Sequence, residues 1–560
     1  MIRLKYRPGF KRLIPVCLIT LAIVGLARSQ SAERAALQAE VHACLQNLPF
    51  EMPEIQLPEF PDKIFNIRDF GAVADGQTLN TEAINKAIQT CSQSGGGTVV
   101  IPSGLWLSGP IQLQSNVNLN LQRGALVVFS PDHKDYPIID PPRKSPIAAP
   151  PVSGFNLKNI AITGEGILDG SGETWRPVKR FKTTASQWRN LLNSGGVVEP
   201  GGEIWWPSRE GMEGELFLRN LGSSRDRKEL SLDDYLPARD FLRPDLILLV
   251  NCRNVLIDGP TLKNSPKFTL HPEWCSDIVI RNVQVNNEWW AQNGDGIDIG
   301  SCKNVLIQRC TVTAGDDAYC MKSSGAEDVT SPALQNVVMR DCIAYHGHGG
   351  FVIGSNTDGG IRNIYVDNCD FIGTDIGLRF KSARDRGGLV DNIFIRNIYM
   401  KDIVNEALLF NTYYENMGRD GDDCPVSATT PIFQNFYIDS VYSIGSKQAA
   451  SMIGLPEMPI RDIRIRNSYF AAETGFEADY AQGITLENVG IAPRSGPVFL
   501  LKQSSDFILK NISFPRNVAN FISLVGEKTK SIRIEETDLS FSPAPLKFAG
   551  DVDKSVVTIR

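Results

Sequence analysis

A short pattern recurs along most of the chain and limits its fold more than any other feature. Each copy begins with Asn or Asp and continues with apolar residues, as in residues 254–257 (NVLI) and 304–307 (NVLI). From residue 254 onward the copies are mostly about 23 to 32 residues apart. A period of this length is typical of a solenoid, in which each repeat forms one coil. The copies begin at Asn159, Asn254, Asp277, Asn304, Asn336, Asn363, Asn392, Asn435 and Asp462, with weaker ones at Asp506 and Ser531.

The repeats predict strands rather than helices. Turn residues flank short segments that alternate between apolar and other side chains, which is the pattern of a β-strand. Asn tolerates a left-handed backbone, and its amide can bond the equivalent Asn one coil away. A leucine-rich repeat is the alternative solenoid, but its units are shorter and richer in Leu. We therefore predict an all-β fold, a right-handed parallel β-helix.

Two segments depart from the repeat. Asn80 and Thr81 are expected to begin a helix with an apolar face, which could cap the open end of the solenoid. Between Asn159 and Asn254 the chain runs 95 residues without a copy, and this stretch holds several tryptophans. We predict a long insertion at about 170–245. It either forms a wall over a cleft or packs away from the functional site.

The N-terminus predicts export. Residues 1–29 have a basic start, an apolar stretch at residues 13–26 and small residues after it, as in a signal peptide. The apolar stretch is shorter than the roughly 20 residues that cross a bilayer. We predict a signal peptide at 1–29, an N-terminal extension at 30–62 and a single catalytic β-helix domain at 63–560. The protein would be secreted or periplasmic, with no membrane association after signal cleavage.

Charge and cysteine content narrow the function classes further. The net charge of -6 disfavours non-specific binding of nucleic acid. One of the 11 cysteines, Cys17, lies in the predicted signal. We expect the others to be mostly free buried thiols, with one or two disulfides left open. No pair has the CxxC spacing of a zinc site. The cysteines that recur at similar repeat positions are Cys252, Cys275, Cys302, Cys310, Cys342 and Cys369.

Between residues 293 and 381, residues suited to acid–base chemistry recur at about one coil length. Residues one coil apart become vertical neighbours in a solenoid, so these side chains are expected to form one column. Arg379 and Lys381 are two apart and would face the same side of a strand. The column comprises Asp295, Asp316, Asp317, His348, Arg379 and Lys381. We hypothesise a glycosidase site for an acidic sugar.

The chemistry of glycoside hydrolysis fits these residue types. Inversion needs one carboxylic acid to protonate the leaving oxygen and one carboxylate to activate water, about 6.5–9.5 Å apart. Crowding of carboxylates raises the pKa of one of them, which keeps an acid protonated. Arg and Lys bind a substrate carboxylate, Arg as a planar fork and Lys as a mobile charge.

Four motifs together resemble glycoside hydrolase family 28, the polygalacturonases and related pectin hydrolases. The resemblance covers about residues 63–545. This chain has Gly294 where the family usually has Thr, and Ala318 where it usually has Cys. The motifs are residues 293–298 (NGDGID), 315–317 (GDD), 347–350 (GHGG) and 379–381 (RFK).

The resemblance implies a role for each residue of the column. Asp316 would be the general acid, while Asp295 and Asp317 would hold and deprotonate the water. His348 would support the acid, and Arg379 with Lys381 would bind the carboxylate of the substrate.

Further residues are candidates for substrate binding. One of Tyr413 and Tyr414 is expected to contact the sugar, and Lys322 is a weaker candidate. Trp289 and Trp290 could form a sugar platform or pack in the rim. No cofactor and no metal are expected. The expected partner is a pectic polysaccharide or oligogalacturonide, and the expected state is a monomer.

The resemblance favours a polygalacturonase that acts on chain ends, because residues 349–355 and His271-Pro272 are similar to the bacterial exo-acting members. Three alternatives stay open. The substrate could be rhamnogalacturonan or a substituted galacturonan. The protein could be a calcium-dependent pectate lyase on the same fold. It could also be a β-helix that binds polysaccharide without catalysis.

Overall fold

The computed structural model describes residues 32, 34–224, 229–325, 331–414, 424–516, 518–550 and 552–560. The predicted signal peptide at 1–29 lies outside these residues. The chain divides into two compact units, Met1–Gln46 and Asn47–Arg560. In the first unit, residues 34–44 form a helix. Within the described ranges, no helix has the length and apolar character needed to span a bilayer.

The second unit is a parallel β-helix. Its strands pair in parallel with the equivalent strands of the next coil, so Val255 is beside Ile278 and Ile278 is beside Val305. The pairings form three stacks of strands, called A, B and C here. The predicted coil-by-coil arrangement is therefore present.

The strands of the three stacks have the following bounds. Stack A contains Ile111–Gln112, Val152–Phe155, Ile247–Val250, Leu270–Glu273, Ile297–Gly300, Asp317–Lys322, Gly349–Ile353, Leu378–Lys381, Glu406–Asn411, Phe499–Lys502, Ile522–Val525 and Leu546–Ala549. Stack B contains Ile64–Asn66, Gly97–Ile101, Val117–Leu121, Lys158–Thr163, Arg253–Asp258, Ser276–Arg281, Lys303–Gln308, Leu334–Arg340, Ala481–Gln482, Lys530–Glu535 and Val557–Ile559. Stack C contains Asp75–Leu79, Gly104–Ser108, Ala125–Phe129, Ile167–Asp169, Thr261–Lys263, Gln284–Asn286, Thr311–Thr313 and Ile343–Tyr345. Longer strands continue from stack B into its neighbours, at Ile361–Ile372, Leu389–Lys401, Ile432–Ile453, Ile460–Asp479, Thr485–Pro493 and Ser505–Ser513.

The Asn residues that begin the repeats form a ladder along the solenoid. Asn304, Asn336 and Asn363 have φ angles of 58°, 60° and 59°, in the left-handed region. The Asn336 amide donates to Asn304 Oδ1 at 3.1 Å, and the Asn363 amide donates to Asn336 Oδ1 at 2.9 Å. Both parts of the expectation for Asn are confirmed. Each ladder residue closes a turn and bonds the adjacent coil.

The cysteines line the interior as free thiols. All ten cysteines in the described ranges are free, and nine of them are buried. Cys275 Sγ accepts from the backbone N–H of Cys252 at 3.2 Å, and Cys302 Sγ accepts from that of Cys275 at 3.3 Å. The expectation of stacked free thiols is confirmed, and the disulfides left open are not formed among these ten.

The predicted helix is present at Thr81–Gln93 and packs its apolar face on the first coils. Ile84, Ala87 and Ile88 are fully buried in the main core. Asn80 is at the N-terminus of this helix, as expected, but its side chain makes no capping hydrogen bond. Its side chain instead bonds backbone groups of neighbouring segments, including the N–H of Val73 at 2.7 Å.

The predicted insertion begins after the strand Ile167–Asp169 and ends before Ile247–Val250. Trp188 and Trp205 form one apolar cluster, on which Trp290 of the β-helix packs. Trp175 lies in another cluster with Tyr136. The helices of the insertion are Gly172–Thr174, Arg180–Lys182, Ala185–Asn193, Arg209–Ser224 and Leu232–Ala238. The strands of the insertion are Val178–Lys179, Val197–Val198 and Ile204–Trp206. The remaining short elements are the strands Ile138–Ile139 and Ile147–Ala148 and the single-turn helices Ile67–Phe70, His133–Asp135, Leu539–Phe541 and Lys554–Val556.

Candidate active site

Consecutive coils of stack A bring the predicted column together. Asp317 pairs with Gly349, the residue after His348, and Val352 pairs with Arg379. Phe380 points into the core with no exposed surface, so its neighbours Arg379 and Lys381 face outward. The alternation of the strand thus places both cations on the outer face of stack A.

Glycine allows two coils to approach closely beside His348. Gly347 has a φ of 134°, and a Cβ there would lie 2.8 Å from the backbone oxygen of Asp316. This approach lets the backbone N–H of His348 donate to the same oxygen at 2.8 Å. A side chain at position 347 would push His348 away from the carboxylates.

Three carboxylates meet at the centre of the column. Asp295, Asp316 and Asp317 each place one oxygen within 4.8 Å of the others. This limit joins single oxygens, whereas the roughly 6.5–9.5 Å expected for inversion separates whole carboxyl groups. A cation could be held by such a cluster, but side-chain cations of the protein already contact Asp295 and Asp317.

Asp317 is held as a carboxylate by two cations. Arg379 Nη1 donates to Oδ1 at 3.0 Å, and Lys381 Nζ donates to Oδ2 at 2.8 Å. Burial raises the pKa of Asp317, but Lys381 and Arg379 outweigh burial and hold this pKa below its usual range. Both carboxylate oxygens are therefore occupied by donors.

Asp295 differs from Asp317 in that its pKa is raised. Lys322 Nζ donates to Oδ2 at 3.1 Å, while the buried Oδ1 has no hydrogen-bond partner among the described residues. Burial, reinforced by Asp298 and the other carboxylates, raises the pKa of Asp295 well above its usual value despite Lys322. Lys322 also contacts Asp298, so this candidate for substrate binding lies between two aspartates.

Asp316 is the most exposed of the three carboxylates and lies beside His348. His348 Nδ1 is 3.1 Å from Asp316 Oδ1, and the two side chains are 31% and 17% exposed. Burial raises the pKa of Asp316, but the hydrogen bond from His348 and the nearby cations bring it below its usual value. Crowding of carboxylates was expected to raise the pKa of one acid. In the free protein the acid with the raised pKa is Asp295 rather than Asp316.

The structure distinguishes between the two candidate tyrosines. The ring of Tyr414 lies 4.8 Å from Lys381 Nζ and 5.4 Å from the Arg379 guanidinium. The ring of Tyr413 lies instead beside the Arg384 guanidinium, at 5.1 Å. Tyr414 is thus the one that joins the column.

The two tryptophans near the site, Trp289 and Trp290, also differ in their surroundings. Trp289 is 48% exposed, so it is available to a ligand. Trp290 packs on the aromatic cluster of the insertion.

Sequence reasoning missed two residues of the site. Lys182, from the insertion, lies 3.1 Å from both Gly315 O and His348 Nε2. No spacing could have revealed it, because the insertion breaks the repeat. Asp298 is fully buried and bonds Lys322. It could have been found, since alternation between the core residues Ile297 and Ile299 turns it outward.

A parallel β-helix with clustered acids, one histidine and paired cations has the groups that glycoside hydrolysis requires. These features define a glycoside hydrolase. The sequence profile of "Glycosyl hydrolases family 28" matches residues 240–467, and that of "Rhamnogalacturonase A/epimerase, pectate lyase-like" matches residues 64–120. The chain is thus similar to glycosyl hydrolases family 28 over residues 240–467, and the predicted right-handed parallel β-helix is confirmed.

The similar proteins include several polygalacturonases. A "Probable polygalacturonase" of Vitis vinifera is 28% identical over 415 residues, covering 71% of this chain and 72% of the relative. An "Exo-poly-alpha-D-galacturonosidase" of Dickeya chrysanthemi is 29% identical over 408 residues, covering 70% of this chain and 64% of the relative. The crystal structure of a hyperthermoactive exopolygalacturonase from Thermotoga maritima shares 27% identity with a TM-score of 0.63. The matched region covers 81% of this chain and 96% of the Thermotoga chain.

Proposed function

We propose that this protein hydrolyses α-1,4-galacturonosyl linkages in pectin and releases sugar from the chain end. The observation that carries the proposal is the pair Arg379 and Lys381 on the outer face of stack A, beside three clustered carboxylates. The hydrogen bond to Asp317 uses one of the three ammonium donors of Lys381, so the cation can also bind a substrate carboxylate. The names of the similar proteins from Vitis, Dickeya and Thermotoga support the same substrate.

The position of the insertion supports action at chain ends. Lys182 contacts Gly315 and His348, and Trp290 packs on the tryptophans of the insertion. The insertion therefore contacts His348, which lies beside the carboxylate of Asp316. A wall at this place would stop a polymer from passing through and leave room for a terminal residue. Of the two roles left open for the insertion, this position favours a wall over the cleft rather than packing away from the functional site.

We propose inversion as the stereochemical course, and the hydrogen bonds of the carboxylates support it. Asp316 is the most exposed acid and would protonate the leaving oxygen. Asp317 has both oxygens engaged by cations, which suits a residue that orients water and disfavours a nucleophile. Asp295 Oδ1 lacks a partner, so the Asp295 carboxylate would take the proton that the same water releases, a role that its raised pKa suits. Asp316 would take up its proton as the anionic sugar displaces water, because a nearby negative charge favours the neutral acid.

The test is the early product profile on polygalacturonic acid. Wild type is compared with Asp316→Asn, which keeps the shape of the side chain but cannot transfer a proton. Asp402→Asn is the matched control, because its carboxylate is 68% exposed and lies outside the column. We expect monomer release with slow loss of viscosity from wild type and control, and little product from Asp316→Asn.

Other outcomes would contradict separate parts of the proposal. A ladder of oligomers with rapid loss of viscosity rules out action at chain ends. An unsaturated product that absorbs ultraviolet light, with inhibition by chelators, indicates a lyase. Release only from rhamnogalacturonan or a substituted galacturonan changes the substrate. Proton NMR of the first product decides the stereochemistry, since inversion of an α-linkage gives the β-anomer first.

We further propose that residues 1–29 direct export and that the mature protein is a monomer, partnered only by its pectic substrate. The basic start and short apolar stretch support export. N-terminal sequencing of the protein recovered from periplasm and medium tests the cleavage. Light scattering of the purified protein tests the oligomeric state.

A further inference from the structure

Lys182 is a buried cation that the insertion delivers to the carboxylates. It ends the single helical turn Arg180–Lys182, and the whole residue is only 6% exposed. Its ammonium group lies 3.1 Å from Gly315 O, 3.4 Å from Trp289 O and 3.1 Å from His348 Nε2. A buried lysine is uncommon, and its cost in solvation calls for specific partners.

The number of partners matches the chemistry of an ammonium group. A charged lysine has three N–H donors and no acceptor. The two carbonyl oxygens and His348 Nε2 are three acceptors. Burial lowers the pKa of Lys182, Asp316 and Asp375 act in the opposite direction, and Lys179 adds to the effect of burial. The pKa of Lys182 is lowered on balance, so the charged form is supported by the three acceptors around the ammonium group.

The contact with Lys182 determines which nitrogen of His348 carries its proton. A neutral imidazole has one donor nitrogen and one acceptor nitrogen. If Nε2 accepts from Lys182, the proton resides on Nδ1, which lies 3.1 Å from Asp316 Oδ1. The competing group is Asp375, whose Oδ2 is 3.8 Å from Nε2 and too distant for a hydrogen bond.

We propose that Lys182 is a positioning residue that holds His348 as the Nδ1–H tautomer, so that His348 donates to Asp316. The consequence for catalysis rests on the proposed function, in which Asp316 is the general acid. Once Asp316 has given up its proton, the Nδ1–H donor stabilises the carboxylate that forms. With the other tautomer, the lone pair of Nδ1 would face that carboxylate and oppose its formation.

The direct test is the tautomer of His348, read by NMR. The chain contains only five histidines, so labelling histidine alone with ¹⁵N gives a simple spectrum of imidazole nitrogens. The His348 signals are assigned by their loss in His348→Gln. We expect a protonated Nδ1 and an unprotonated Nε2 in wild type. In Lys182→Met we expect loss of this single state. Lys179→Met removes a cation three residues away that does not contact His348, and it serves as the control.

Kinetics give a second readout. For Lys182→Met on polygalacturonic acid we expect kcat to fall on the order of 10- to 100-fold, with KM nearly unchanged, because the reacting groups are misplaced while the binding cations stay. Lys182→Arg keeps a donor and should recover part of kcat.

Two results would overturn the inference. One is a protonated Nε2 on His348 in wild type, a measurement that needs no variant to fold. The other is a Lys182→Met protein that keeps both the Nδ1–H state and wild-type kcat. Failure of the proposed function looks different. Wild type would then be inactive on galacturonan, while the tautomer and its dependence on Lys182 would still be observed.

Discussion

Replacing Lys381 with methionine tests whether two cations hold Asp317 ionised. The substitution keeps most of the side-chain volume and removes the donor 2.8 Å from Asp317 Oδ2. Lys381 and Asp317 have side-chain exposures of 7% and 2%, so solvent screens their attraction little. The carboxylate keeps its bond from Arg379, 3.0 Å from Oδ1. The variant therefore weakens the charge compensation without abolishing it.

The magnitude follows from this geometry. At 2.8 Å and an effective dielectric constant of about 20, the attraction is about 6 kcal/mol before the cost of burial. Loss of one partner of a buried ion pair typically costs about 3–5 kcal/mol. Because Arg379 stays, we expect the lower end, about 3 kcal/mol of unfolding free energy. Since Lys381 and Arg379 hold the pKa of Asp317 below its usual range, the stabilisation is present above about pH 4. It is lost as the pH falls through the folded pKa.

Urea unfolding at pH 6 and pH 3 measures this effect, and the pH dependence of kcat/KM gives its functional counterpart. With fewer cations the pKa of Asp317 rises, so the acidic limb of kcat/KM should move to higher pH. Lys263→Met is the control, because that lysine is 51% exposed and 3.7 Å from Asp169. Lys263→Met should lower the free energy of unfolding by less than about 1 kcal/mol. Equal losses from Lys381→Met and the control at pH 6 would refute the reasoning, as would an unmoved acidic limb.

Further substitutions test other parts of the site and the fold. Asp295→Asn should lower kcat by roughly 10²- to 10⁴-fold while the melting temperature changes little, because burial raises the pKa of Asp295 and favours a neutral group there. Lys322→Met leaves two buried aspartates without their cation, and urea unfolding should show a loss of about 3–5 kcal/mol. Adding Asp298→Asn should recover part of that loss. Asn336→Ala removes two ladder hydrogen bonds at a φ of 60° and should cost about 2 kcal/mol by the same assay, and Asn336→Gly should cost less.

The repeat explains why so much of the architecture could be predicted. In a solenoid, a distance along the sequence of one coil becomes a contact in space, so Asp317 and Arg379 could be brought together without coordinates. The left-handed turns could be predicted for the same reason, since Asn was found at the same place in coil after coil. Local chemistry and a regular period were enough for these features.

The insertion could not be placed in this way. Its 95-residue interval has no period, so the sequence indicated its aromatic content but not the position of Lys182. The choice between Tyr413 and Tyr414 also needed coordinates. Both follow the strand Glu406–Asn411, and the local path of the backbone directs only Tyr414 towards Lys381. The distribution of protons among the aspartates depends on burial and on exact partners, which no spacing reveals.

The balance of charge at the site explains how an acidic chain can bind an acidic sugar. Four basic and four acidic side chains of the described residues meet there: Lys182, Lys322, Arg379 and Lys381, with Asp295, Asp298, Asp316 and Asp317. Because these formal charges cancel, the net charge of -6 belongs to the rest of the chain. Burial raises the pKa of Asp295 and so opposes the negative charge of this acid, which favours the cations in this balance. Such attraction fades within about 8–10 Å at moderate ionic strength. A galacturonate residue is therefore attracted once its end enters the pocket, while the remaining surface has no net attraction for the polymer.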